Sequence, residues 1–152
     1  DINVYFLMLI GYVTETQKDH ADTLQMFKRW QKYVATGTIK GIDLGTGLYI
    51  MKGTPLENMI EKHQIFFLNT KGKDISNGID SNLWQSKLNP GLDPAERIRR
   101  RIETHEEAIK YNWPIWRGEQ RLDVVKNLTK NYKNFLSNSN PTKPSKTICN
   151  WA

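Results

Sequence analysis

Three stretches of the chain place apolar residues at the three- and four-residue spacing of an amphipathic helix. They span about 19–36, 54–69 and 93–111. The second and third open with a capping residue, a proline and an acid, in Thr54-Pro55-Leu56-Glu57 and Asp93-Pro94-Ala95-Glu96. This order is typical of helix starts. We therefore expect long helices over all three stretches, the first capped by Asp19.

A fourth long helix is predicted over about 117–136, and shorter helices over 43–52 and 81–88. No stretch shows an apolar-polar alternation that would favour strands instead. The pattern predicts an all-α fold: a single-domain up-and-down helical bundle of about five helices over 1–136. The polar residues 137–152, which include prolines and lysines, predict a flexible basic C-terminal tail.

The run VYFLMLIGYV, from Val4 to Val13, contains no charge. It is too short to span a bilayer, which takes about 20 residues, and it lacks the basic flank of a signal peptide. Residues 1–18 are therefore interpreted as an apolar N-terminal arm. Whether 4–13 are buried or exposed stays open at this point.

The chain of 152 residues carries a net charge of +6, and this charge is unevenly distributed. Residues 117–152 hold seven basic and two acidic side chains and so contribute +5. Such an excess favours a negatively charged partner: an acidic protein, a glycan, a lipid headgroup or a nucleic acid.

Four arginines lie in the first two turns of the predicted helix over 93–111, at Arg97, Arg99, Arg100 and Arg101. Helix starts favour acids rather than bases. We therefore interpret the arginines as placed for a contact outside the helix, with an ordinary solvated face as the alternative. Nucleic acid is not expected, because acids are interleaved with the bases and no nucleic-acid-binding motif is present.

Catalysis, metals and cofactors find little support. His20, His63 and His105 do not have metal-ligand spacing, and His63 is interpreted as a core histidine. The one cysteine, Cys149, excludes an intrachain disulfide and lies in the predicted tail. GIDLGTG at 41–47 is superficially similar to a phosphate loop, but such a loop needs a preceding strand, and none is predicted. We expect a binding protein without enzymatic activity, metal or cofactor.

Three motifs in order carry a resemblance to a known family. They are GIDLGTGL at 41–48, TPLENMIEKHQIFFLN at 54–69 and ERIRRRIETHEEAIKYNWPI at 96–115. Together they resemble the abalone sperm fertilisation proteins, the egg-lysin family, over about residues 20–120. Of its two branches, the chain is more similar to the eighteen-kilodalton acrosomal paralogues than to the lysins, because the long basic tracks of the lysins do not map onto it.

The resemblance implies a helical protein secreted into the sperm acrosomal vesicle and without enzymatic activity. It implies a role at fertilisation, in sperm-egg membrane fusion, with the egg plasma membrane or anionic lipid as partner. The alternative is a lysin-like protein that binds the egg vitelline envelope glycoprotein and dissolves the envelope stoichiometrically. The expected cationic surface comprises Arg97, Arg99, Arg100, Arg101, Lys126, Lys130 and Lys133, and the candidate apolar surface comprises Phe6, Trp30, Trp113 and Trp116. Monomer or dimer stays open.

Overall fold

The computed structural model describes residues 2–44, 47–68 and 78–116, together with 122, 123, 125–127, 129–131 and 133. The named elements, in chain order, are β1 (Val4–Leu7), α1 (Gln17–Ala35), β2 (Ile39–Asp43), β3 (Ile50–Met51), α2 (Pro55–Asn58), β4 (Ile65–Phe67), β5 (Gly78–Ile79), β6 (Trp84–Ser86) and α3 (Pro94–Lys110). The described positions between 122 and 133 are also helical.

The predicted all-α bundle is wrong. Helix accounts for 43% and strand for 18% of the described residues, in a mixed α/β fold. The strands pair two by two, as β1–β2, β3–β5 and β4–β6. A helical fold was also what the family resemblance implied, so the resemblance has no support from the architecture.

The β1–β2 pair is parallel, and α1 is the crossover helix that a parallel pair requires. Ile42 of β2 also bridges Ile115 in parallel, with backbone N–H groups donating from Ile42 to Pro114 and from Trp116 to Ile42 at 2.9 and 3.0 Å. We call β1, β2 and residues 114–116 together the parallel sheet. The uncharged run is therefore neither an arm nor wholly buried, because β1 alternates between half-buried and exposed positions.

One face of the parallel sheet, which we call the inner face, packs against α1 and α3. The buried cluster there contains Phe27, Ile39, Ile42, Leu44, Ala108 and Trp113. Trp113 is central: its indole N–H donates to the Phe27 carbonyl at 3.0 Å, and its ring lies 5.1 Å from the Phe27 ring. Such edge-to-face packing stabilises aromatic clusters beyond simple burial.

A second core lies between the two short antiparallel pairs. It contains Val13, Leu48, Ile50, Leu56, Ile65, Ile79 and Trp84. The indole N–H of Trp84 donates to the Leu48 carbonyl at 3.1 Å. We call the described part of 47–92 the hairpin lobe, because its antiparallel strands are short and enclose this core.

Two of the predicted long helices are confirmed. α1 begins one turn before the expected cap, since Thr16 rather than Asp19 is the N-cap, and the two residues form a capping box. α3 begins after Asp93, whose side chain accepts from the Glu96 N–H as predicted. The start of α3 was predictable because capping depends on neighbouring residues, whereas the predicted cap of α1 was wrong by three residues.

The helix predicted over 54–69 is wrong beyond its first turn. Pro55–Asn58 is helical, but Gln64 adopts a positive φ of 47° and Ile65–Phe67 then pairs with β6. β-Branched and aromatic side chains favour strands, and this preference overrides the helical spacing. The helices predicted over 81–88 and 43–52 are likewise replaced, by β6 and by β2 and β3.

The strand β2 also corrects the argument against a phosphate loop, because a strand does precede the glycine-rich stretch. Gly45 and Thr46 of that stretch lie outside the described residues. The same holds for the predicted tail at 137–152, for Cys149 and for the start of the helix predicted over 117–136.

Candidate functional site

The predicted cationic surface of α3 is mostly buried. Arg97, Arg100 and Arg101 are all less than a tenth exposed, and only Arg99 of the four reaches substantially into solvent. A guanidinium is buried only where acceptors satisfy its donors. The partners of these arginines therefore show what the cluster does.

Arg97 joins α3 to the hairpin lobe. Its guanidinium lies over the Trp84 ring, 4.0 Å from the ring centroid. It donates to the carbonyls of Leu92, at 2.8 Å, and of Ser81, at 2.6 Å, and also to that of Trp84. Gly11 packs against the arginine stem so closely that an added Cβ would lie 2.7 Å from Arg97 Cγ.

Arg100 joins α3 to the start of α1. Its guanidinium donates to the carboxylates of Glu15 and Glu96, each at 2.9 Å, and to the Thr16 carbonyl at 3.0 Å. Because Thr16 caps α1, Arg100 fixes the point at which α1 begins relative to α3.

His20 lies in the same network and is almost completely buried. Its Nε2 lies 2.9 Å from the Glu103 carboxylate, and its Nδ1 lies 3.9 Å from Glu15. The arginine helix face thus docks inside the protein, between α1 and the hairpin lobe. Both interpretations of Arg97, Arg100 and Arg101, as a surface for an external partner and as an ordinary solvated face, are therefore wrong.

Arg99, which remains accessible, is held by two acids on its own helix. It pairs with Glu96 at 2.6 Å and with Glu103. The hydrogen bond from Arg99, with that from Arg100, lowers the pKa of the Glu96 carboxyl to about 2. Arg99 therefore faces solvent with its charge largely balanced. The lysines of the cationic surface, Lys126, Lys130 and Lys133, are all exposed on the helical segment at 122–133.

The four candidate aromatic residues separate into two groups. Trp113 is buried in the inner core and Phe6 is half-buried against it, with their rings 5.4 Å apart. Trp30 lies at the rim of that core, 5.5 Å from Phe6, and is partly exposed. Trp116 is 60% exposed and belongs to the opposite face of the sheet.

That opposite face, which we call the outer face, is the clearest candidate for a functional site. The register places Tyr5 beside Gly41 and Leu7 beside Asp43. The Ile42–Ile115 bridge brings Trp116 level with Asp43. Neighbours in register share a face of the sheet, so Leu7, Asp43 and Trp116 form one row across the carboxyl end of the strands.

The outer face is apolar and accessible. Tyr5 is 66% and Leu7 80% exposed. Gly41 leaves room for the tyrosine ring, since an added Cβ there would lie 3.1 Å from Tyr5 Cδ1. Asp43, half-buried, sets one carboxylate in the middle of the row. The surface therefore offers aromatic and aliphatic contact area around one negative charge.

Tyr5, Leu7 and Asp43 were not among the predicted site residues. The signal that could have found β1 is weak, because apolar residues occupy both faces of the strand and hide its alternation. For Asp43 the available signal is also weak: Ile39 and Ile42 are β-branched residues that favour strands, but Lys40 and Gly41 separate them.

The described part of the chain contains neither a membrane-spanning helix nor a group of metal ligands. No helix there is both long and apolar enough to cross a membrane, and no three His, Cys, Asp or Glu side chains there form a group that could hold a metal ion. No family model, curated protein or solved structure matches the chain.

Replacing Arg97 with methionine should lower the free energy of unfolding by about 3 kcal/mol, because three buried carbonyls lose their donor. The matched control is Arg99→Met on the same helix, which should change it by less than about 1 kcal/mol, since exposed ion pairs contribute little. Urea denaturation followed by circular dichroism measures both. Equal effects would contradict the assignment of Arg97 as the link to the hairpin lobe.

Acid should destabilise the fold through Glu96. The pKa of Glu96 is lowered on folding from 4.5 to about 2. Its contribution to the free energy of unfolding is therefore complete above pH 4.5 and is lost as the pH falls towards 2. After solvent screening we expect a loss of roughly 1 to 2 kcal/mol. Urea titrations at several pH values should show a flatter profile for Glu96→Gln than for the wild type; identical slopes would exclude this carboxyl as the cause.

Proposed function

We propose that the chain is a binding protein whose contact surface is the outer face of the parallel sheet. One observation carries the proposal: α1 and α3 cover the inner face, whereas Tyr5, Leu7 and Trp116 stand exposed on the outer face. Parallel sheets are normally covered on both faces. An apolar face of this kind is typical of a surface that a partner covers.

The chemistry of the outer face favours a protein partner. Aromatic side chains are enriched in the centres of protein interfaces, and Tyr5 and Trp116 supply them here. Asp43 lies between Leu7 and Trp116 and places a half-buried carboxylate within this surface. In a bilayer interior the same carboxylate would be costly, by several kcal/mol.

A gamete protein that promotes sperm-egg membrane fusion is the second candidate. The observation that favours it is the combination of exposed Trp30 and Trp116 with the exposed Lys126, Lys130 and Lys133. Tryptophan favours the membrane interface and lysine favours anionic headgroups. The burial of Arg97, Arg100 and Arg101 removes most of the cationic surface expected from α3, so this candidate depends on the lysines.

The lysin-like alternative, dissolution of the egg vitelline envelope, has less support. It needs a continuous basic track, and the burial of Arg97, Arg100 and Arg101 removes these three arginines from any such track on α3. Secretion into an acrosomal vesicle and the lack of enzymatic activity stay predictions from the resemblance.

A photo-crosslinking residue at position 116 tests the main proposal. In an extract of cells that express the chain, this variant should give discrete adducts to protein, because the residue lies within the contact surface. The control carries the same residue in place of Leu88, which is 58% exposed but lies in the hairpin lobe. Equal adduct patterns at both positions would argue against the outer face as a specific site.

Vesicles test the second candidate. If the chain acts on membranes, the wild type should release dye from anionic vesicles and less from neutral ones, and salt should weaken the effect. A triple variant with Lys126, Lys130 and Lys133 changed to glutamine should lose this activity, whereas Lys18→Gln, an exposed lysine on α1, should retain it. No release from either vesicle would exclude the membrane role.

A further inference from the structure

The C-terminal half of α1 and the strand after it carry positive charge that is not balanced. The sequence from Thr23 to Ile42 contains four basic residues and no acidic one. All four are exposed, namely Lys28, Arg29, Lys32 and Lys40. The ion pair on α1 joins Lys18 to Asp22 near the helix start, and within the described part of the chain no carboxylate pairs with any of the four. Unlike the buried arginines of α3, these cations are therefore accessible to an external partner.

Two aromatic side chains lie among these cations. Trp30 is 38% and Tyr33 43% exposed, so neither side chain projects freely from the protein. The ring of Trp30 packs edge-to-face against Phe6 at 5.5 Å. The Lys32 Nζ lies 4.9 Å from the centroid of the Tyr33 ring. We call the four cations together with Trp30 and Tyr33 the α1 patch.

Helix stability accounts for only part of the α1 patch. The helix dipole favours cations near a C-terminus, but this effect falls off within the last turn. Lys32 lies in that turn. The Lys40 Nζ lies just beyond the helix, 3.5 Å from the point that a Cβ on Gly37 would occupy. Lys28 and Arg29 lie further from the end of α1, so the dipole does not explain them.

We propose that the α1 patch binds single-stranded nucleic acid without sequence preference. Surfaces of this kind combine cations for the phosphates with aromatic side chains on which bases stack. Lys28 and Lys32 are neighbours one turn apart, as are Arg29 and Tyr33, so cations and rings lie side by side. Interleaved acids argued against nucleic acid on α3, and this part of α1 contains none. The α1 patch is distinct from the outer face, so this role does not rest on the proposed function.

An anionic membrane carries the same sign of charge but fits the α1 patch less well. Helices that bind at a membrane interface insert their apolar face, whereas the apolar face of α1 is buried in the inner core through Phe27. More than half of Trp30 and of Tyr33 is covered by the protein, which leaves little of either ring to insert. A single strand presents phosphates together with unstacked bases, which aromatic side chains can stack on.

Fluorescence anisotropy of the full chain with a labelled single-stranded thymidylate oligonucleotide of about 12 nucleotides tests the proposal. We expect a dissociation constant of about 1 to 10 μM at about 50 mM salt. Four phosphate contacts on a single strand should weaken binding about 50-fold between about 50 and 200 mM salt. A wild type that does not bind, or whose binding is insensitive to salt, would overturn the proposal.

Two charge variants locate the site. A triple variant with Lys28, Arg29 and Lys32 changed to glutamine should bind about 10-fold more weakly or worse and should lose most of the salt dependence. The matched control changes Lys126, Lys130 and Lys133 to glutamine, which removes the same charge elsewhere, and should bind as the wild type does. Equal losses in the two variants would exclude the α1 patch as the site.

Stacking is tested apart from charge. Tyr33→Ala should bind the oligonucleotide about 5-fold more weakly or worse, with an unchanged circular dichroism spectrum, whereas Tyr33→Phe should bind as the wild type does. An abasic strand of the same length should bind the wild type about 5-fold more weakly than the thymidylate strand. Equal binding of the two strands would reject base stacking. Binding to phosphatidylserine vesicles but not to the oligonucleotide would assign the α1 patch to membranes and overturn the proposal.

Discussion

The guanidinium of Arg97 is the contact on which the arrangement of the two cores depends. The side chain extends from α3 to the hairpin lobe, where the guanidinium donates to three carbonyls. It also lies over the ring of Trp84. A buried cation is tolerated only with such partners. The hairpin lobe has short strands and a small core, so its position relative to α3 relies on this one side chain far more than a larger lobe would.

Arg100 links α3 to α1 in the same way, through a buried guanidinium and its acceptors. Its contacts with Glu15 and Thr16 hold the start of α1 against α3, and α1 in turn carries Phe27 into the inner core. Because α1 is also the crossover between β1 and β2, this polar link positions the parallel sheet. The two arginines are three residues apart and so are neighbours on one side of α3, from which they link the helix to two different parts of the fold.

The helices α1 and α3 could be predicted from their apolar spacing, and the start of α3 also from the local capping chemistry of Asp93 and Pro94. The strands could not, since Ile65–Phe67 and β1 become strands only through pairing with distant residues. The burial of Arg97 was equally hidden. Its unfavourable position near a helix start was visible in the sequence, but the exposed cationic surface predicted from it is wrong for Arg97, because its acceptors lie within the chain.

Because the arginines of α3 are buried, the candidate contact surface lies on the parallel sheet and not on this helix. The positive charges that suggested an external partner are largely satisfied inside the protein, by carbonyls and by Glu15 and Glu96. Among the described residues, several large apolar side chains stay exposed to water, and Tyr5, Leu7 and Trp116 are those that share the outer face. Hydrophobic contact is non-directional and scales with the apolar area removed from water. In the proposed function, Tyr5, Leu7 and Trp116 therefore supply the area of contact, whereas the buried arginines of α3 stabilise the fold that presents it.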